Sequence, residues 1–355
     1  MQNPTNKGRI SQIFPSRPAA LIPVAALALL LSACGGGGGG STSTASNTGT
    51  NSGSSSTSTS TAATGIPAGT TQVTPTYAPG SVQAAMFAQV NAYRQTCGFT
   101  PIQQNTLLDQ AAQNHAQYMV LNGGVVTDTE TQGNPGFTGV TGQDSADALG
   151  WPSSVYAGRM DAGTVIGSMT PAENGIEALN LWLMGAYHQN GFFDDSANLI
   201  GIGFAQGSYL GTPSDSETWQ LGGAYSQPIP EGQFLTFPCA GVTNVPYSGP
   251  DLESPTPPGI TGTHGIPVTL VANWNDVIRL TAASITGPSG SLPVQFLDSS
   301  TDPNHELGAY EAVAYPTTAM APNTTYTVTL NGTINGAAFS KTFTFATNNT
   351  AVPAY

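Results

Sequence analysis

The sequence predicts an α+β domain followed by a small all-β module. Three observations carry that expectation. Capped, helix-periodic segments come first, between residues 81 and 188. Runs rich in Gly, aromatic and β-branched residues follow at Leu199–Gln206 and Thr218–Tyr225. Beyond a Pro-rich stretch at 249–259, only short strand signals separated by turn residues remain. Helices that precede strands, instead of alternating with them, argue against a parallel βαβ sheet.

Each element has its own reason. Ser81 can cap a helix over Val82–Arg94, with Met86, Val90 and Tyr93 along one stripe. A second helix opens at Thr106 with Asp109 in its first turn. Leu108, Ala111, Ala112, His115 and Met119 recur at helical spacing, and Asn122-Gly123-Gly124 stops it. The third starts with Thr170-Pro171-Ala172-Glu173, a capping box with Pro at its first position, and is expected to end near Tyr187-His188. In the C-terminal part, strands are expected at Ile266–Ala272, Val277–Ile285, Val294–Phe296, Tyr310–Tyr315, Thr325–Asn331 and Ala337–Ala346. Asn331-Gly332 and Asn335-Gly336 are both hairpin-turn signals between the last two.

The N-terminus reads as an address. Lys7, Arg9 and Arg17 flank an apolar run from Ala19 to Leu31, too short for a comfortable span of about 20 residues. Leu31-Ser32-Ala33-Cys34 resembles the lipobox of bacterial lipoproteins. The resemblance implies cleavage before Cys34, lipid on that cysteine and, because Gly35 and not Asp follows, the outer membrane, on its periplasmic face or at the cell surface. The alternative is an ordinary secretory signal with an incidental cysteine. From Gly35 to about Gly80 the chain is Gly, Ser, Thr and Asn with almost no apolar residue, the composition of a disordered tether. The four remaining basic residues stand against all 20 acidic ones, so nucleic acid is excluded as a partner, and the membrane is met through the lipid alone. With Cys34 assigned to lipid, Cys97 and Cys239 remain: either a disulfide, suited to an exported protein, or two buried thiols.

Asn91-Ala92-Tyr93-Arg94, Leu108 through Ala111-Ala112-Gln113-Asn114-His115-Ala116, Gly133–Gly139, Trp182–His188 and Ile200–Phe204 together resemble the bacterial form of the CAP (SCP/PR1-like) domain. The resemblance implies a three-layer α-β-α sandwich with a wide central cleft. Many such domains place two histidines and two acidic residues there, able to bind a divalent cation. His188 matches the family's histidine after the Trp helix. Asp128 stands where the other would align, and Thr164 where a carboxylate is expected. Glu130, Glu173 and Glu177 are further candidates, although the capping box already explains Glu173. The bland readings stay beside these: His188 as a helix-end imidazole on the last carbonyls, Asp128 as a loop cap, His115 as a packed core histidine, and His264 and His305 as solvent-facing. No nucleophile elbow and no phosphate loop is present.

The run Ala321–Val328 with Phe343–Thr347 resembles bacterial Ig-like modules, which implies a small β-sandwich. The chain therefore divides into a signal peptide (1–33), lipidated Cys34 and tether (34–80), a CAP-like domain (81–248), a Pro-rich hinge (249–259), an Ig-like sandwich (260–347) and a tail (348–355). The expected function is a membrane-anchored extracytoplasmic lipoprotein whose CAP domain binds a lipid, peptide or glycan without catalysis. A surface adhesion or structural protein is the alternative. A metal-dependent hydrolase built on His188, Asp128 and Glu130 or Glu173 is another, and a divalent cation is the one cofactor the residues admit.

Overall fold

The computed structural model describes residues 71–72, 74–165, 169–195, 197–223 and 229–354. The expected signal segment, Cys34 and the tether up to residue 70 lie outside them. The tether's last ten residues are not a free spacer where they are described. Strand β1 (Thr71–Gln72) pairs antiparallel with β2 (Gln103–Asn105). Tyr77 packs edge-on against Phe87 and donates to Asp109 Oδ1 at 2.6 Å. An aromatic residue in a polar tract can dock once a neighbouring surface offers it apolar cover, which composition alone does not reveal.

The first half is built on a five-stranded sheet of order β1-β2-β4-β5-β3. Its long strands are β3 (Tyr156–Val165), β4 (Leu199–Tyr209) and β5 (Thr212–Gly223), all paired antiparallel, while β2 joins β4 in parallel. Helix α1 (Val82–Cys97) and helix α2 (Thr106–Leu121) precede it, with the short α3 (Gly142–Ala148) between α2 and β3. Alternation along β4 sets the layers. Ile200 and Ile202 enter the large core with Val82, Met86 and Trp182, whereas Gly201 and Gly203 face α2. A Cβ on Gly201 would stand 2.0 Å from α2 backbone, so glycine is what lets the helix lie directly on the sheet. Strand β3 and helix α3 went unread in the sequence. Arg159, Asp161 and four glycines or alanines interrupt any apolar run in β3, yet most of the strand is buried.

Asn105, and not Thr106, caps α2, its side chain accepting from the N–H of Leu107 and Leu108. The third expected helix is two. Helix α4 (Pro171–Met184) stops at Gly185, and α5 (Ala186–Phe193) starts anew. His188 therefore sits in the first turn of a helix and not at the end of one, so its ring cannot meet terminal carbonyls.

The C-terminal part contains two four-stranded antiparallel sheets. One runs β10-β11-β7-β6, from β6 (Phe234–Phe237), β7 (Val268–Ala272), β10 (Val294–Asp298) and β11 (Glu311–Pro316). The other runs β13-β12-β8-β9, from β8 (Ile278–Gly287), β9 (Gly290–Ser291), β12 (Thr325–Ile334) and β13 (Ala337–Ala346). Of the two Asn-Gly signals, Asn335-Gly336 is the turn, with φ of 51° and 82°, while Gly332 lies inside β12 at a register shift.

The division at 249–259 does not separate two cores. Strand β6, from the segment placed in the first domain, pairs with β7 of the second. Phe193 stacks on Phe237 at 4.0 Å, and one apolar cluster holds Met86, Trp182, Leu270, Val328 and Phe345 together. Cys97 and Cys239 are disulfide-bonded across 142 residues, fastening the end of α1 to the chain just after β6. A chain-entropy account gives such a loop about 5 kcal/mol, of which disulfides typically deliver about 2–4 kcal/mol.

Candidate functional site

Two neighbouring groups of ionisable residues include the expected site residues Asp128, Glu130 and His188. The first lies between α2 and the sheet. His115, fully buried on α2, directs Nδ1 at Glu130 Oε1 (2.9 Å) and Nε2 at the carbonyl of Thr127 (2.7 Å), with Asp161 Oδ2 at 3.4 Å. Both ring nitrogens face acceptors, which favours the doubly protonated ring. Burial opposes the charge, but Asp161 and Glu130 outweigh it, so His115 titrates above an ordinary histidine. Burial would also raise Glu130. The hydrogen bonds from His115 and Thr138 overcome it and hold the carboxyl below its usual range. Arg159 closes the cluster, donating to the carbonyls of Asp128 and Val140 and to Ser145, 3.6 Å from Glu130. Two cationic groups balance Glu130 and Asp161, and Thr218 donates to the latter.

The second place is the N-terminus of α5. Gly185 offers no capping side chain, and Glu253 supplies the cap from 65 residues away. Its Oε1 accepts from the backbone N–H of Tyr187 and of His188 at 2.7 Å each, and from His188 Nδ1 at 2.8 Å. A side chain at 185 would collide with that carboxylate, since a Cβ would lie 2.6 Å from Oε1. The helix's positive end and the imidazole N–H thus share one carboxylate oxygen. His188 Nε2 and Glu253 Oε2 are buried without hydrogen-bond partners. The β10–β11 loop completes the site. Asp302 accepts from Tyr187 Oη at 2.7 Å and from the N–H of Glu306 and Leu307. Half-buried Glu306 is pushed up to about 7 by burial and by the charges of Asp302 and Glu253, and it feels His188 and Asp128 as well. Asp128, also half-buried, is raised by burial and by Asp161. It feels Asp161, Arg159 and His115 of the first place, and Glu306 of the second feels it.

The expected site residues are therefore split. Asp128 and His188 fall within electrostatic reach of Glu306. Glu130 is committed to His115, and Glu173 is exposed at the cap of α4, holding Thr170. Thr164 points to the other face of the sheet, where it donates to Asn174, and Asp161 is the β3 carboxylate beside the histidine. His264, expected in solvent, is 1% exposed, because the 249 and 264 backbones pair and carry the ring inward. Sequence reasoning missed Asp161, Arg159, Glu253, Asp302 and Glu306. Charges alternating with Met160 and Ala162 in a chain with 8% charged residues were the available signal for the first two. Glu253 gave none, since its partners are distant in sequence. Among the described residues, no three His, Cys, Asp or Glu side chains converge as a metal cluster.

Residues 87–219 match the CAP family model, described as the cysteine-rich secretory protein family. Among solved structures, an outer surface protein from Borrelia burgdorferi aligns over 41% of this chain and 93% of its own, at 13% identity and a TM-score of 0.31, too loose an overlap to carry an argument. No curated protein matches the chain.

Proposed function

We propose that this chain is a membrane-anchored extracytoplasmic lipoprotein whose CAP domain binds a ligand without transforming it. The observation that carries the reading is the unpartnered Nε2 of His188, locked by Glu253 and set near half-buried Glu306 and Asp128. An unsatisfied buried nitrogen costs about 1–3 kcal/mol, a cost that a ligand's hydrogen-bonding group would remove. The surrounding carboxylates favour a ligand with cationic or hydrogen-bond-donor groups, so of lipid, peptide and glycan we favour a peptide bearing basic side chains. Glu130 is held by His115 and Glu173 caps α4, so neither joins His188, which favours binding over the metal-dependent hydrolase reading. Calorimetry with a short oligolysine peptide tests this: binding that weakens about tenfold in Glu306→Gln and is lost in His188→Ala supports it, and no heat of binding counts against it. Anchoring is tested separately by Cys34→Ser, which should move the protein from the detergent phase to the aqueous phase.

A second reading, surface adhesion, draws on the C-terminal module, which we take as Ig-like. The outward face of its β8-β12-β13 sheet carries Thr286, Thr327, Thr329, Thr342 and Thr344 with no charge among them. Because both halves share one core, Thr329→Lys with Thr342→Lys is the proper probe, not truncation at 260. Unchanged attachment to surfaces would remove this reading.

A further inference from the structure

On the face of the sheet opposite His115, under the first turns of α4, β5 places two carboxylates two residues apart. Glu217 is 0% exposed and Asp215 is 1% exposed. We propose that Asp215 and Glu217, with Thr164 and Asn174, form a binding site for a hard divalent cation such as calcium. This site is separate from the ligand reading above and shares no residue with it.

The four side chains are contiguous. Thr164 Oγ1 donates to Asn174 Oδ1 at 2.8 Å and lies 3.4 Å from Glu217 Oε1, while Asn174 Nδ2 contacts Asp215 Oδ2. One oxygen of each carboxylate, Asp215 Oδ1 and Glu217 Oε2, is buried with no hydrogen-bond partner. No Lys, Arg or His forms an ion pair with either acid among the described residues. Burial raises both acids, and Asp215 raises Glu217 further. The positive end of α4 contributes roughly half a charge, well short of two. A buried pair of like charges must be neutralised by protons or by a cation, because leaving both ionised and unpaired costs several kcal/mol or more.

The donor set chooses between cations. Two carboxylates, a hydroxyl and an amide carbonyl are all oxygen, with no imidazole or thiolate, which suits hard ions over zinc or copper. Two negative charges match a divalent ion. Calcium tolerates irregular coordination by protein oxygens, whereas magnesium keeps most of its water and demands an octahedron. Exposed Gln206 leans on Asp215 from the neighbouring strand, so an ion would enter directly from the surface.

The test uses the full mature chain, stripped with chelator and then titrated with calcium chloride or magnesium chloride while the thermal midpoint is followed. A saturable rise, with one calcium per chain by native mass spectrometry, is expected. Glu217→Gln should need about 100-fold more calcium, or show no rise, while its midpoint in chelator equals or exceeds that of the unmodified chain. Should that variant not fold, Asp215→Asn carries the same expectations. A midpoint indifferent to millimolar calcium and magnesium, falling only as pH rises, would identify a shared proton as the occupant and overturn the proposal. A rise that Glu217→Gln and Asp215→Asn retain would overturn it too.

Discussion

Strand β5 separates two buried polar clusters that solve the same electrostatic problem differently. Its even-numbered residues Thr218 and Gln220 face α2, where Glu130 and Asp161 are met by His115 and Arg159. Its odd-numbered residues Asp215 and Glu217 face α4, where no basic side chain pairs with them. In the first cluster each carboxylate has a cationic partner within 4 Å, and the ion pairs tie helix to sheet. In the second, the same residue chemistry is left with spare oxygens. Burial alone therefore does not tell whether a carboxylate is structural or waiting for an occupant; the sign of its neighbours does. The α5 terminus lies between these extremes, with one imidazole and a helix end against several carboxylates.

The comparison breaks most sharply at Glu130. Glu130→Ala leaves two buried cations, His115 and Arg159, with Asp161 as the remaining carboxylate of the cluster, and is expected to cost about 3–5 kcal/mol in denaturant unfolding. Glu217→Gln should by contrast cost nothing in chelator, and equal losses in both variants would refute the distinction. Glu253→Ala removes three hydrogen bonds at the start of α5 and should cost about 2–3 kcal/mol, with Glu253→Gln recovering part of it. The smallest effect is a pH slope. Glu306 titrates near 7 in the fold, above a free glutamate near 4.3. The fold thus binds the proton more tightly, and the stability gained is complete below about pH 4 and lost as pH rises through about 7. Glu306→Gln should flatten stability over that window by on the order of 1 kcal/mol, reduced by the residue's partial solvent exposure. An unchanged slope would overturn the assignment of that titration to Glu306.

Much of the scaffold was readable because its signals are local. Ser81 and Thr170 cap the expected helices, the Thr170–Glu173 box forms as spaced, and the six C-terminal strands fall within a few residues of their sequence positions. Cys97 and Cys239 pair. The failures share a physical cause. Strand β3 carries buried Arg159 and Asp161, which periodicity reads as exposed, and α4 divides at Gly185 because a carboxylate from residue 253 caps the second piece. The site was legible only in part: His188 and Asp128 were singled out, while Asp302 and Glu306 arrive on a loop more than a hundred residues away.

By itself, the sequence determined the first two helices, the C-terminal strands, the one cysteine pair open to a disulfide and the scarcity of charge, since caps, periodicity, turns and cysteine count act over a few residues or by elimination. Only the tertiary structure decided that the two halves share one core and that Glu253 belongs to His188. It alone set one acidic cluster against basic partners and left the other without them. Those outcomes depend on which side chains meet across distant strands, and Coulomb energies and desolvation are fixed by that meeting and not by order along the chain.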